Sequence, residues 1–138
     1  MDDIPLQQVG LAVKRLQWKH HRAMNRRLAP LGVSLVQWDT LRHLQANPGA
    51  SLHQLAELTF QTDQSMGELA KRMVDRGLIE RVAGPGRKVR HRLTPAGDEV
   101  RLAGDQVADG VFADSIGKLD AEERATLYEL LSKALDDD

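Results

Sequence analysis

Side chains suited to meeting a polyanion are concentrated between Ser51 and Thr94. In one run, Met66, Leu69, Ala70, Met73 and Val74 fall at helical spacing. At about 100° per residue the opposite face carries Gln64, Ser65, Glu68, Arg72, Asp75 and Arg76, with Lys71 on its flank. A helix of this kind fits the major groove of a nucleic-acid duplex, and its N-terminus favours phosphate. Gln64, in the first turn, suits a base edge, with adenine its usual partner, and Ser65 suits a base or a phosphate; ordinary polar surface would carry the same residues. Glu68 is repelled by phosphate. It can accept from a cytosine amino group or pair with Arg72 four residues on, an order worth about 0.2–0.5 kcal/mol. The pair is the reading adopted here, and it would aim Arg72 at a phosphate. Gly67 costs about 1 kcal/mol against Ala in a helix, which close approach to DNA or to another helix would explain. Ser51 and Thr62, as N-caps of two successive short helices, complete the DNA-facing set on this side.

A second cationic set follows. Lys88, Arg90 and Arg92 alternate with Val89, His91 and Leu93, so one face of a strand is strongly basic. Arg87 stands at the tip of the loop Ala83-Gly84-Pro85-Gly86-Arg87, placed to enter a minor groove, where narrow A·T tracts attract arginine. Lys88, Arg90 and Arg92 are expected on phosphates, each contact adding about 0.9 to the salt dependence of binding. Elsewhere, Trp18, His21, Trp38 and Arg42, with His43 near them, could line a pocket for a small effector. An arginine beside aromatic walls suits a carboxylated aromatic ligand; core tryptophans and surface His/Arg fit the same residues.

Composition narrows the classes. The chain has 138 residues and no cysteine, which excludes disulfides, thiolate metal sites and thiol oxidation. There are five histidines, but His20 and His21 diverge on a helix and no HxxxH pair occurs. No metal and no cofactor are expected. No nucleophile–base set or phosphate loop points to an enzyme. The net charge of −1 conceals a separation. Residues 51–95 carry eight Lys/Arg against five Asp/Glu, whereas residues 96–138 carry four against twelve. A basic region and an acidic third are thus set apart along the chain. No apolar run approaches the roughly 20 residues of a membrane span, and Met1–Gln8 lacks the pattern of a signal peptide. A cytoplasmic protein without membrane association is expected.

The elements that must position these residues are mostly helices. Residues 5–29 read as a long first helix, with Pro5 at its first position and apolar residues on two flanks, one for its own domain and one for a partner chain. Ser34 caps a second helix to Ala46, ended by Asn47-Pro48-Gly49. Ser51 caps a third to about Leu58, its buried side supplied by Leu52, Leu55, Ala56 and Leu58, and Thr59-Phe60-Gln61 is a joint. Thr62 caps the fourth, which Gly77 ends. Residues 77–82 and 88–93 read as two strands of a hairpin. Thr94-Pro95 opens a fifth helix to about Ile116, which Gly104 and Gly110 could kink. Leu119-Asp120-Ala121-Glu122-Glu123 resembles a capping box for a sixth, striped by Leu127, Leu130, Leu131, Ala134 and Leu135.

This order, with the pieces VSLVQWDTLRHL, PGASLHQLAEL, MVDRGLIER, RKVRHRLTPAG and LDAEERATLYELL, resembles the MarR family of winged helix-turn-helix transcription regulators over nearly the whole chain. The resemblance implies a mainly α fold with a small β-hairpin wing. Residues 34–94 would form the DNA-binding lobe, and residues 1–30 and 95–138 the dimerisation helices, in a single domain of residues 1–138. It further implies a homodimer on a palindromic double-stranded DNA site, commonly repression, and commonly release by an aromatic or phenolic acid. Three features depart from the family pattern. Pro85 precedes Gly86-Arg87 where family wings carry Asp, in a wing about two residues shorter. Gly67-Glu68 stands where Thr or Ser, then Arg, is usual. With no cysteine, the oxidant-sensing branch is excluded. The alternative from another class is a winged helix that binds protein and not DNA.

Overall fold

A computed structural model describes residues 3–84, 86 and 88–136. The element order is α1 (Leu6–Leu28), α2 (Leu35–Ala46), α3 (Leu52–Leu58), α4 (Asp63–Asp75), β1 (Ile79–Ala83), β2 (Val89–Leu93), α5 (Pro95–Ala113) and α6 (Ala121–Leu135), with 3₁₀ turns at Ala29–Leu31 and Ile116–Lys118. Local chemistry sets these boundaries. Ser34, Ser51 and Asp120 each accept a hydrogen bond from the N–H three residues on, and Gln37, Gln54 and Glu123 reach back to the capping residue's own N–H. Thr62 caps α4 through the Ser65 N–H, and Thr94 caps α5 through the Gly97 N–H with Pro95 behind it. Pro5 is itself the N-cap of α1, at φ −59° and ψ 145°, one position earlier than its expected place inside the helix.

One core joins α1 to α5 and the hairpin. Met24, Leu28, Leu41, Leu44, Leu55, Met66, Met73 and Ile79 are fully buried, each worth about 1.5–3 kcal/mol in transfer from water. Leu58, expected on the buried side of α3, is exposed, because α3 is only two turns long and its last residue passes the edge of that core. β1 and β2 pair antiparallel, with Ile79 opposite Leu93 and Ala83 opposite Val89. Gly104 and Gly110 do not interrupt α5, which is one helix from Pro95 to Ala113. Gly104 instead admits the Trp38 indole: a Cβ there would stand 2.1 Å from Trp38 Cδ1. Trp38 Nε1 donates to the Arg101 carbonyl and to Asp105 on the same helix.

The outer helices are poorly covered by their own chain. α6 buries no residue, and Tyr128 and Leu135 are 74% and 75% exposed. On α1 only Met24 and Leu28 are buried, while Leu6, Val9, Leu11, Val13 and Leu16 are exposed. No helix of the described residues is long and apolar enough to cross a membrane.

Candidate DNA-reading face and ligand cleft

α4 turns its charged side outward. Gln64, Ser65, Glu68, Lys71, Arg72, Asp75 and Arg76 are all exposed, while Met66, Ala70 and Met73 fix the opposite face in the core. The expected Glu68–Arg72 ion pair does not form: among the described residues neither side chain has an ionic partner within 4.0 Å. Both side chains point to solvent, where such a pair is worth too little to fix two long chains. Gly67 meets no other helix, since a Cβ placed on it would find nothing within 4 Å. Ser51 Oγ and Thr62 Oγ1 are engaged as acceptors in their caps, which leaves each hydroxyl hydrogen free to donate outward.

The start of α4 is tied to α3 by a histidine. His53 Nδ1 lies 2.9 Å from Asp63, at the first position of α4, and His53 Nε2 lies 2.9 Å from Glu57. The Asp63 hydrogen bond, then the charges of Asp63 and Glu57, raise its pKa above the ordinary histidine value.

In the wing, Lys88 and Arg92 are exposed and Arg90 is half-buried. Arg92 is not a free phosphate ligand: it is ion-paired with Glu80, its register partner on β1. Cross-strand neighbours of opposite charge meet by geometry alone. His91 is buried and lines the groove between the wing and α4, and burial, then the charge of Arg81 across the ladder, lowers its pKa. Arg87 and Pro85 lie outside the described residues, so the expectations about the wing tip attach to no described geometry; the neighbouring Gly86 takes φ +68°.

A cleft opens between the long helices and the α2–α4 lobe. It has two chambers, of about 550 and 610 Å³, that share Gln17, His21, Leu35, Trp38 and Phe112. The inner chamber is apolar and adds Val13, Leu16, His20, Met24, Leu127 and Leu131. His20 Nε2 is 2.6 Å from Ser115 Oγ, and its ring meets Phe112 edge-on at 4.8 Å. Burial, then Lys19, lowers its pKa, which favours neutral imidazole in this wall. The outer chamber is lined by Asp39, Arg42, Thr59, Phe60 and Gln61. Arg42 lies 5.3 Å from the Trp38 ring centroid and donates to Asp39 at 2.6 Å.

Of the residues expected to line a pocket, His21, Trp38 and Arg42 therefore come together. Trp18 does not: it stacks on His21 with centroids 5.4 Å apart, on the outer side of α1, and is 55% exposed. It stands two positions from both Leu16 and His20 of the inward row, about 200° round the helix, and so faces away. His20, Phe112 and Phe60 were missed. His20 follows Val13 and Leu16 at spacings of three and four along the first helix, which is a signal legible in the sequence; Phe60 carries none beyond its place in a joint.

Helices α2 to α4 followed by the β1–β2 hairpin define a winged helix-turn-helix. A family profile described as MarR family matches residues 31–88. The transcriptional regulator HosA of Escherichia coli O127:H6 is 30% identical over 101 residues, 72% of this chain and 75% of that one. The HTH-type transcriptional repressor Rv2887 of Mycobacterium tuberculosis is 28% identical over 134 residues, 96% and 94% of the two chains. The chain belongs to the MarR family. Reduced MarR from E. coli superposes with a TM-score of 0.81 at 25% identity, covering 99% of this chain and 100% of that one. Rv2887 in complex with salicylic acid superposes at 0.76 with 27% identity, covering 96% and 98%. Rv2887 has also been solved with DNA, at a TM-score of 0.76 and 24% identity over 97% and 100% of the chains.

Proposed function

We propose that this MarR-family regulator is a homodimeric repressor that binds a palindromic operator in double-stranded DNA and is released by an aromatic carboxylate. The observation that carries the reading is the outward face of α4, which is polar and basic from Gln64 to Arg72 while its inner face is locked in the core. In it Gln64 reads a base edge, Ser65 contacts a base or phosphate, Glu68 accepts from a cytosine amino group, and Arg72 takes a phosphate. Ser51 and Thr62 donate to the backbone at the two helix starts. Lys88 and Arg90 track the backbone from the wing, Arg92 joins them at the expense of Glu80, and Arg87 enters the minor groove. Residues 34–94 are the DNA-binding lobe, and residues 1–30 and 95–138 pair two copies. The uncovered apolar residues of α1 and α6 support that pairing.

The effector would lie in the two-chamber cleft, its ring against Trp38 and His21 and its carboxylate on Arg42. That the related Rv2887 has been solved with salicylic acid supports the ligand class.

Titration of a fluorescent duplex from the chain's own upstream region at several salt concentrations tests the DNA reading. Two chains per duplex are expected, with an affinity that falls steeply with salt. Lys88→Ala should reduce the log–log slope by about 0.9 if one phosphate is lost. Binding that ignores salt, or no binding beside capture of a protein, would support the protein-docking alternative instead.

A further inference from the structure

The joint before the reading helix closes with the same pair of backbone hydrogen bonds that closes the helix itself. At the end of α4, the Gly77 N–H donates to the Val74 carbonyl and the Leu78 N–H to the Met73 carbonyl, with Gly77 at φ +74°. At the end of α3, the Phe60 N–H donates to the Glu57 carbonyl and the Gln61 N–H to the Ala56 carbonyl, and the left-handed residue is Phe60, at φ +60°. Glycine takes this conformation freely, whereas a bulky side chain resists it. Phe60 is the one non-glycine residue with positive φ among those described. Burial does not offset the strain, because the residue is 92% exposed. Strain and a large apolar side chain in water coincide at one position, and glycine would remove both. What compensates must lie outside the chain. The site of Phe60 says where: it borders the outer chamber together with Trp38, Arg42 and Phe112, and it is two residues from Thr62, the cap of α4.

We propose that Phe60 is the contact through which an aromatic carboxylate in this cleft acts on the DNA-reading helix. The inference rests on the effector reading above. The Arg42 guanidinium holds the carboxylate, and the Phe60 ring closes over the ligand ring opposite Trp38. The Phe60 backbone is already held in the costly left-handed region, so ring contact with the ligand shifts its balance toward a relaxed backbone. Gln61 and Thr62 follow, so the first turn of α4, with Gln64 and Ser65, leaves its duplex geometry.

The test uses the intact chain, a duplex recovered by selection, and salicylate as the probe. Tryptophan emission reports occupancy of the cleft, and duplex anisotropy reports release. Wild type, Phe60→Gly, Phe60→Ala and Phe60→Tyr are compared. Phe60→Gly should be more heat-stable than wild type, and the half-release concentration of each variant is read relative to its own duplex affinity without salicylate. In Phe60→Gly and Phe60→Ala alike, half-release should need roughly tenfold more salicylate, the loss of one aromatic contact with its buried area. Phe60→Tyr should keep the wild-type response. An unchanged half-release concentration in both Phe60→Gly and Phe60→Ala overturns the role of Phe60 while leaving the effector reading intact. Loss of dimer mass in Phe60→Gly would place the ring between copies and overturn it too. If salicylate neither changes the emission nor releases wild type, the effector reading itself fails, and this inference with it.

Discussion

At the scale of single residues, the informative positions are those where the chain accepts a local cost. Gly67 lowers helix stability by about 1 kcal/mol against Ala, and no packing inside the chain asks for it. Gly67→Ala is therefore expected to raise stability by about that amount in thermal unfolding while weakening operator binding about tenfold, ~1.4 kcal/mol. Unchanged affinity with raised stability would mean that DNA does not approach this glycine. Phe60 accepts about 1–2 kcal/mol of left-handed backbone for a ring that its own chain leaves in water. Gln64→Ala should remove about 1–3 kcal/mol of discrimination between operator and mismatched duplex. Competition with random-sequence DNA reads this directly, because the variant's affinity for the competitor should not change. Periodicity placed Gln64, Ser65, Glu68 and Arg72 on one face, since 3.6 residues per turn is a local rule. It could not show that Glu68 and Arg72 stay apart, since that depends on rotamer and solvation. Nor could it show that Trp18 turns outward from a cleft whose other wall lies about ninety residues away, at Ser115 and Phe112.

At the scale of elements, the caps were legible and the clefts were not. Ser34, Ser51, Thr62, Thr94 and Asp120 each cap the helix the sequence assigned to them, because a cap is decided within four residues. The hairpin was legible for the same reason. Its ion pair between Arg92 and Glu80 was not, since it requires the register. The link between α3 and α4 through His53 likewise joins residues ten apart across a joint. Both ring nitrogens face carboxylates, so the protonated ring satisfies both and the neutral ring only one. A raised pKa in the fold means that this contribution is full below about 6.5 and is lost as pH rises through the folded value. His20 and His91 act in the opposite sense. Their lowered pKa values mean that stability is full above about 6.5 and falls as acid protonates them. The melting temperature should accordingly decline on both sides of neutrality. In His53→Gln the alkaline decline should flatten and the acid one persist; an unaltered alkaline limb would show that the bridge does not hold α4.

At the scale of the whole molecule, the chain is two unequally finished parts. The α2–α4 lobe and its hairpin have a closed core, whereas α1 and α6 expose apolar side chains along most of their length. The two apolar flanks of the first helix foretold a second cover in the sequence, but which flank met its own chain depended on how α1 crosses α5. If two copies supply that cover, stability should rise with protein concentration, and Leu130→Asp on α6 should give monomers in sedimentation and abolish operator binding with the α2–α4 lobe still folded. The most direct test of the proposal that two copies read a DNA sequence is selection of bound duplexes from a random library at physiological salt. The expected winner is a two-fold symmetric sequence with half-sites about one helical turn apart, centre to centre. Recovery of no common sequence, or of a single asymmetric half-site, would contradict it.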